Sequence, residues 1–132
     1  MKYLSVTRPS NGTSGPRPPS SIHSPGAHAP VLGRIEDALG PLTTLVNNAG
    51  VGFGSAVLDE NQDKDWNANY GVNVKGTMEL CRGVIPYMEK SGGGSIVNVS
   101  SVVALRGNHP AHVYAAAKGG IISLTRSLAG AY

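Results

Sequence analysis

Gly92-Gly-Gly-Ser-Ile-Val-Asn-Val-Ser-Ser101 is the stretch from which the fold is read. Consecutive glycines end a helix, since they tolerate the left-handed backbone that closes one and propagate helix poorly. Ile96, Val97 and Val99 then supply the β-branched side chains of a strand over Ser95 to Ser100. Upstream, residues Gln62 to Lys90 carry a long helical pattern, with Val72, Gly76, Leu80, Val84 and Met88 on one stripe and Cys81 and Ile85 beside it. Pro86 is expected to bend its last turn. Leu42 to Asn47 reads as a buried parallel strand. The short amphipathic segment Val31 to Gly40, with Ile35 and Leu39, reads as the end of a helix stopped by Gly40-Pro41. A strand, a crossover helix of this length and a second strand form a right-handed βαβ unit. The fold class is α/β.

Beyond the second strand runs Ser101-Val-Val-Ala-Leu-Arg-Gly-Asn-His-Pro-Ala-His-Val-Tyr114-Ala-Ala-Ala-Lys118. It opens where α/β sheets place their ligands, just past a strand's carboxyl end. Tyr114 and Lys118 stand four apart at the start of a third helix, expected from about His112 to Ala129, so both leave one helix face one turn apart. A free phenol with a pKa near 10 is only about 0.1% ionised at neutral pH, and is a poor base. Lowering that pKa by about three units takes roughly 4 kcal/mol of preferential stabilisation of the phenolate, which a close cation supplies. A serine hydroxyl nearby can hold a substrate oxygen against the phenol while a hydride moves at the carbon. Together these groups point to carbonyl/alcohol redox chemistry. The Tyr-x-x-x-Lys spacing alone arises by chance in about one chain in four with this many tyrosines, so the reading depends on the company it keeps.

That company is Leu45-Val-Asn-Asn-Ala-Gly50, Val72-Asn73-Val-Lys-Gly76, Gly94-Ser-Ile-Val-Asn-Val-Ser-Ser101 and the Tyr114/Lys118 pair, in that order. The combination, from about Val31 to Tyr132, resembles the short-chain dehydrogenase/reductase family of NAD(P)-dependent oxidoreductases. The resemblance implies a Rossmann-like, doubly wound parallel sheet of which two strands are recognisable. It implies that Asn48, Ala49 and Gly50 border the cofactor. It assigns Asn73 to a proton-relay water, Ser101 to orienting the carbonyl, Tyr114 to acid/base work, and Lys118 to binding the nicotinamide ribose and lowering the tyrosine's pKa. Ser101 is chosen over its neighbour Ser100 because the family serine lies thirteen residues before its tyrosine. It further implies a homo-oligomer built through the helices at about 62–90 and 112–129, although a small-residue face at Gly119-Gly120 serves equally to pack a helix on its own sheet. Thr43 stands where the family usually has Asp.

Residues 1–30 differ in kind from the rest. They hold six of the nine prolines, six serines, three basic side chains and no acidic one, a composition that reads as a disordered leader and not as a βαβ unit. The family's Thr-Gly-x-x-x-Gly-x-Gly turn, which holds a pyrophosphate on a helix N-terminus, is not found. Gly50-Val-Gly-Phe-Gly54 lacks the third spacing and helix that would make it a substitute. Residues 31–132 therefore read as a partial Rossmann domain, the central part of such an enzyme. NAD or NADP is the implied cofactor, with weak binding, and a small alcohol or carbonyl compound the substrate. The alternative function is a catalytically silent fragment that associates with itself or with intact relatives.

Charge and cysteine content narrow the classes further. The net charge of +3 lies wholly in the leader, and three cations without interleaved aromatics give little affinity for nucleic acid. No stretch is long and apolar enough to span a bilayer, and the apolar run after Lys2 is too short for a signal peptide. Cys81, the single cysteine, excludes an intramolecular disulfide and fits a reducing cytoplasm and a core-filling role. His109 and His112 read as loop residues, and no metal site is expected.

Overall fold

The computed structural model describes residues 3–6, 29–52, 62–107 and 109–132. In chain order they form β1 (Tyr3–Val6), α1 (Ala29–Leu39), β2 (Thr44–Asn47), α2 (Gln62–Asn69), a π-helical turn (Tyr70–Gly76), α3 (Thr77–Lys90), β3 (Ser95–Val99), a 3-10 turn (Val102–Ala104) and α4 (His112–Ala131). The sheet order is β1-β3-β2. β2 and β3 are parallel, from Thr44 opposite Ser95 to Asn47 opposite Asn98, so the expected βαβ unit is present and the class is α/β.

The third strand was not expected. The disorder read from the composition of residues 1–30 does not hold for Tyr3–Val6, which pairs antiparallel with β3 from Tyr3 opposite Val99 to Val6 opposite Ile96. The physical reason is local. β2 covers only one edge of β3, and this four-residue run is free of proline and rich in strand formers, so it can satisfy the other edge. Ala29 and Pro30 also belong to α1. The remainder of that stretch, like Phe53 and Gly54 of the glycine-rich loop, lies outside the described residues.

α1 ends as its sequence requires, with Gly40 at φ 90° and its N–H on the Glu36 carbonyl at 2.9 Å. Its buried side chain is Leu32, however, while Ile35 and Leu39 are exposed together with Val31. At the end of α3, Gly92 and Gly93 take φ 88° and 134°. Gly94 is required for a different reason, since a Cβ there would lie 2.5 Å from Met88 Cγ and 2.9 Å from the Thr43 carbonyl oxygen. That close approach lets Ser95 N–H donate to the Thr43 carbonyl at 2.8 Å, which sets the register of the parallel pair.

The crossover helix runs unbroken over the expected span, but its face is rotated. Val72, expected inside, is 42% exposed, and the buried line is Asn69, Asn73, Thr77, Cys81, Val84, Ile85 and Met88. The π-helical turn accounts for the shift. Its i to i+5 bonding widens the helix by nearly one residue per turn, so positions four apart stay aligned where an α-helix would drift. Pro86 lies within α3, which continues to Lys90; the proline only removes the donor to the Arg82 carbonyl. α4 packs its Val113, Ala117, Ile121 and Thr125 inward. Gly120 faces the π-helical turn, where a Cβ would lie at ordinary contact distance, 3.5 Å, from Val74 Cγ2.

Candidate functional site

The site forms where the loop after β2 meets the π-helical turn and the start of α4. Asn73 is fully buried, and its side-chain amide is engaged by one backbone residue in both directions. Nδ2 donates to the Val51 carbonyl at 2.8 Å, and Val51 N–H donates to Oδ1 at 3.0 Å. Nδ2 also reaches Asn69 Oδ1 at 3.3 Å. The Asn73 main-chain carbonyl accepts the Thr77 hydroxyl at 2.8 Å. Asn73 therefore clips the 48–52 loop to the helix, and its side-chain amide is committed to that contact. A line of polar residues four apart, Asn69, Asn73 and Thr77, was the sequence signal for this arrangement.

Lys118 lies one turn beyond Tyr114 on α4 and is only 5% exposed. Its Nζ donates to the Val99 carbonyl at 3.0 Å and stands 5.8 Å from the centroid of the Tyr114 ring. Burial lowers its pKa from the usual lysine value, because removal from water disfavours the ammonium. Gly50 closes the constellation. A Cβ at that position would sit 2.9 Å from Asn73 Oδ1 and 3.2 Å from Lys118 Nζ, so the loop backbone can touch both only because the residue is glycine. A Cβ at Gly52 would be 3.6 Å from Tyr114 Cε2. Asn48, Ala49 and Gly50 are exposed on the same loop.

Ser101 caps the 3-10 turn, its Oγ accepting Val103 N–H at 3.5 Å, and is half-buried just past β3. Its neighbour Ser100 is already occupied, donating Oγ–H to the Lys118 carbonyl at 2.7 Å. Asn73, Tyr114 and Lys118 thus meet around Gly50 and Gly52, with Ser101 next in chain to a residue bonded to Lys118. The exposed backbone groups of residues 48–50 beside a buried ammonium fit the ribose and carboxamide end of a nicotinamide nucleotide.

Beneath the site runs a buried polar chain that sequence reasoning missed. Asn47 Nδ2 donates to Asn98 Oδ1 at 2.7 Å and to Cys81 Sγ at 3.4 Å. Asn98 Nδ2 donates to Thr125 Oγ1 at 2.9 Å, and that hydroxyl donates to the Ile121 carbonyl at 2.7 Å. The chain ties both parallel strands to α3 and α4. Asn47 Oδ1 is buried without a partner among the described residues. Burial pushes the Cys81 thiol up, with the Asn47 bond opposing. His109 Nδ1 accepts Ala111 N–H at 3.1 Å within its own turn, and no metal-binding cluster forms among the described residues. Nor is any described helix long and apolar enough to cross a membrane.

The chain is similar to known proteins. A 3-oxoacyl-[acyl-carrier-protein] reductase of Thermotoga maritima is 42% identical over 99 residues, which are 75% of this chain and 40% of the relative. A protein of Xanthobacter autotrophicus named inactive 2-(S)-hydroxypropyl-CoM dehydrogenase 2 is 40% identical over 114 residues, 86% of this chain and 49% of the relative. A crystal structure of a gluconate 5-dehydrogenase from Burkholderia cenocepacia in complex with NADP and tartrate superposes with a TM-score of 0.70 at 28% identity, covering 80% of this chain and 41% of that one. The chain spans less than half the length of these relatives. The short chain dehydrogenase family matches residues 21–132, a stretch that begins ten residues before the sequence resemblance and takes in every element from α1 to α4. This chain belongs to the short chain dehydrogenase family.

Proposed function

We propose that these residues form the catalytic face of an NAD(P)-dependent oxidoreductase that interconverts an alcohol and a ketone or aldehyde. The observation that carries the reading is the convergence of Tyr114, Lys118 and Asn73 on the backbone of Gly50 and Gly52. Bound NAD(P) supplies the hydride in reduction and accepts it in oxidation. Asn48, Ala49, Gly50, Tyr114 and Lys118 would hold its nicotinamide end. In reduction the Tyr114 phenol gives its proton to the carbonyl oxygen while the Ser101 hydroxyl, released from Val103, donates a hydrogen bond to the same oxygen. The Lys118 ammonium, 5.8 Å from the centroid of the Tyr114 ring, would offset the negative charge left on the phenol oxygen. Oxidation runs the same steps backwards. The role that the resemblance implies for Asn73 changes in one respect: its amide holds the cofactor loop, and its main-chain carbonyl, beside Thr77, is the group that would meet a relay water.

Binding of NAD(P) by this stretch alone is weak, for the pyrophosphate meets no glycine-rich helix N-terminus among the described residues. Homo-oligomerisation would use the outer face of the crossover helix, where Trp66 stacks on Tyr70 at 4.5 Å and Val72 and Met78 are exposed, together with α4. A cytoplasmic setting would keep Cys81 reduced. A second reading, association without turnover, is favoured by the outer edge of β2, which pairs with no strand among the described residues.

The test is a chimera in which residues 31–132 replace the matching stretch of the Thermotoga maritima reductase. Ketone-dependent oxidation of NADPH is expected, and Tyr114→Phe abolishes it. Near-normal turnover in the Tyr114→Phe chimera would remove Tyr114 from the chemistry.

A further inference from the structure

Two consecutive residues at the end of β3 hold Lys118 at its two extremities. The Val99 carbonyl accepts from the ammonium at 3.0 Å, and the Ser100 hydroxyl donates to the main-chain carbonyl of the same lysine at 2.7 Å. That main-chain carbonyl lies within α4, where it also accepts from the N–H four residues on. A carbonyl oxygen has two lone pairs, so the serine bond is an addition to the helix and not a replacement for a missing partner. It crosses from the end of the strand to the helix, and at 2.7 Å it has the ordinary length of a well-formed hydroxyl hydrogen bond. A slide of α4 by one residue along its axis moves this carbonyl by about 1.5 Å and breaks the bond.

The lysine side chain is long and flexible, so its reach depends on what holds its two ends. Its neighbours are the Tyr114 ring on its own helix, Asn73 Oδ1 from the π-helical turn and the backbone at Gly50, and the Val99 carbonyl from β3. The phenol is the titratable group among them. With the backbone end pinned by Ser100 and the ammonium end by Val99, the distance between the two anchors sets the extension of the side chain, and so the height of the ammonium beside Tyr114 and Gly50.

We propose that Ser100 is a positioning residue that fixes α4 against the end of β3 and thereby places the Lys118 ammonium in the site. The inference rests on the reading of Lys118 as a site residue given above. It gives the adjacent serines separate tasks: Ser101 faces the substrate oxygen, and Ser100 aligns the helix that carries Tyr114 and Lys118.

A control is built into the fold. Asn98 and Thr125 make a separate side-chain tie between β3 and α4, at 2.9 Å, about two turns from Lys118. The experiment titrates the Lys118 side chain by NMR in the 132-residue chain labelled with carbon-13 at lysine Cε, comparing wild type with Ser100→Ala, Ser100→Thr and Thr125→Val. The expected result is a wild-type lysine titrating below its usual range, a Ser100→Ala lysine moved up toward that range as the side chain reaches water, and wild-type behaviour restored in Ser100→Thr. Thr125→Val should unfold more readily yet leave the Lys118 titration in place. Should Ser100→Ala not fold, Ser100→Cys, which keeps the size with a weak donor, is expected to show the same upward movement. An unchanged titration in the serine variants, or an equal movement in Thr125→Val, overturns the proposal, the latter by making Ser100 one structural tie among several. The outcome is independent of turnover. A chimera indifferent to Tyr114→Phe would sink the oxidoreductase reading, whereas a flat Ser100→Ala titration beside a Tyr114-dependent chimera would sink this inference alone.

Discussion

The side-chain amide of Asn73 and the backbone of Val51 bond in both directions, at 2.8 and 3.0 Å, across 22 residues of sequence. One buried residue on the crossover helix thereby satisfies both main-chain groups of a residue in the loop that borders the site. Loss of one partner leaves those groups short of a bond in a half-buried place, which costs more than the bond itself. Asn73→Ala is expected to lower stability by about 2–3 kcal/mol and to raise the hydrogen-exchange rate of the Val51 amide well above those of β3. Denaturant unfolding together with exchange mass spectrometry checks it; a protected Val51 amide in the variant would show that the loop is held by something else.

Gly50 is expected to resist even the smallest side chain. Its Cβ would fall 2.9 Å from Asn73 Oδ1 and 3.2 Å from Lys118 Nζ, and the Asn73 amide cannot retreat without breaking its bonds to Val51. Gly50→Ala should cost about 1–3 kcal/mol through that displacement, and in the chimera it should reduce turnover more than Gly40→Asn, which changes a helix-ending glycine with open space around it. Melting temperatures and NADPH oxidation rates measured side by side separate the two effects.

Lys118 carries a pH signature with a definite sign. Burial lowers its folded-state pKa, so between that value and the ordinary lysine pKa the unfolded chain binds more protons than the folded one. Stability contributed by this group therefore rises as pH increases through that window, and the burial penalty is felt in full below the folded-state pKa. Lys118→Met should remove the rise. At neutral pH it should match or exceed the wild type by up to about 1 kcal/mol, since an ammonium no longer has to be desolvated, while the chimera bearing it loses turnover. Chemical denaturation across alkaline pH, taken as the difference between the two proteins so that the tyrosines cancel, tests the sign.

Cys81 is expected to be silent toward thiol reagents in the folded chain. It is fully buried, and burial raises its pKa, so both access and thiolate are lacking. Its modification by a chromogenic disulfide should track unfolding, with the rate climbing in step with denaturant. Rapid stoichiometric labelling without denaturant would contradict the placement of α3 against β2.

Much of the route to the site was legible along the chain because it depends on local chemistry. Gly40 and Gly92 to Gly94 mark helix ends through their backbone freedom, and the β-branched run around Ile96 marks a strand whatever surrounds it. Tyr114 and Lys118 share a face by helical geometry alone. The inward face of the crossover helix was read one residue out, at Val72 and Gly76 in place of Asn73 and Thr77, because a π-helical turn is stabilised by what packs on it and leaves no separate mark in hydrophobic periodicity. β1 was missed because its pairing answers an open edge on β3, a condition created ninety or more residues away.

The sequence by itself determined the α/β class, the strand-helix-strand order and the residue types at the site, since propensity, capping and spacing act between near neighbours. The tertiary structure alone decided which groups those residues spend on one another. It committed the Asn73 amide to Val51, turned Ser100 toward Lys118, and linked Asn47, Asn98 and Thr125 into a buried chain. Each of these choices is a hydrogen bond between segments far apart in the chain. Its energy exists only once burial has removed the competing water, so no local pattern could have announced it.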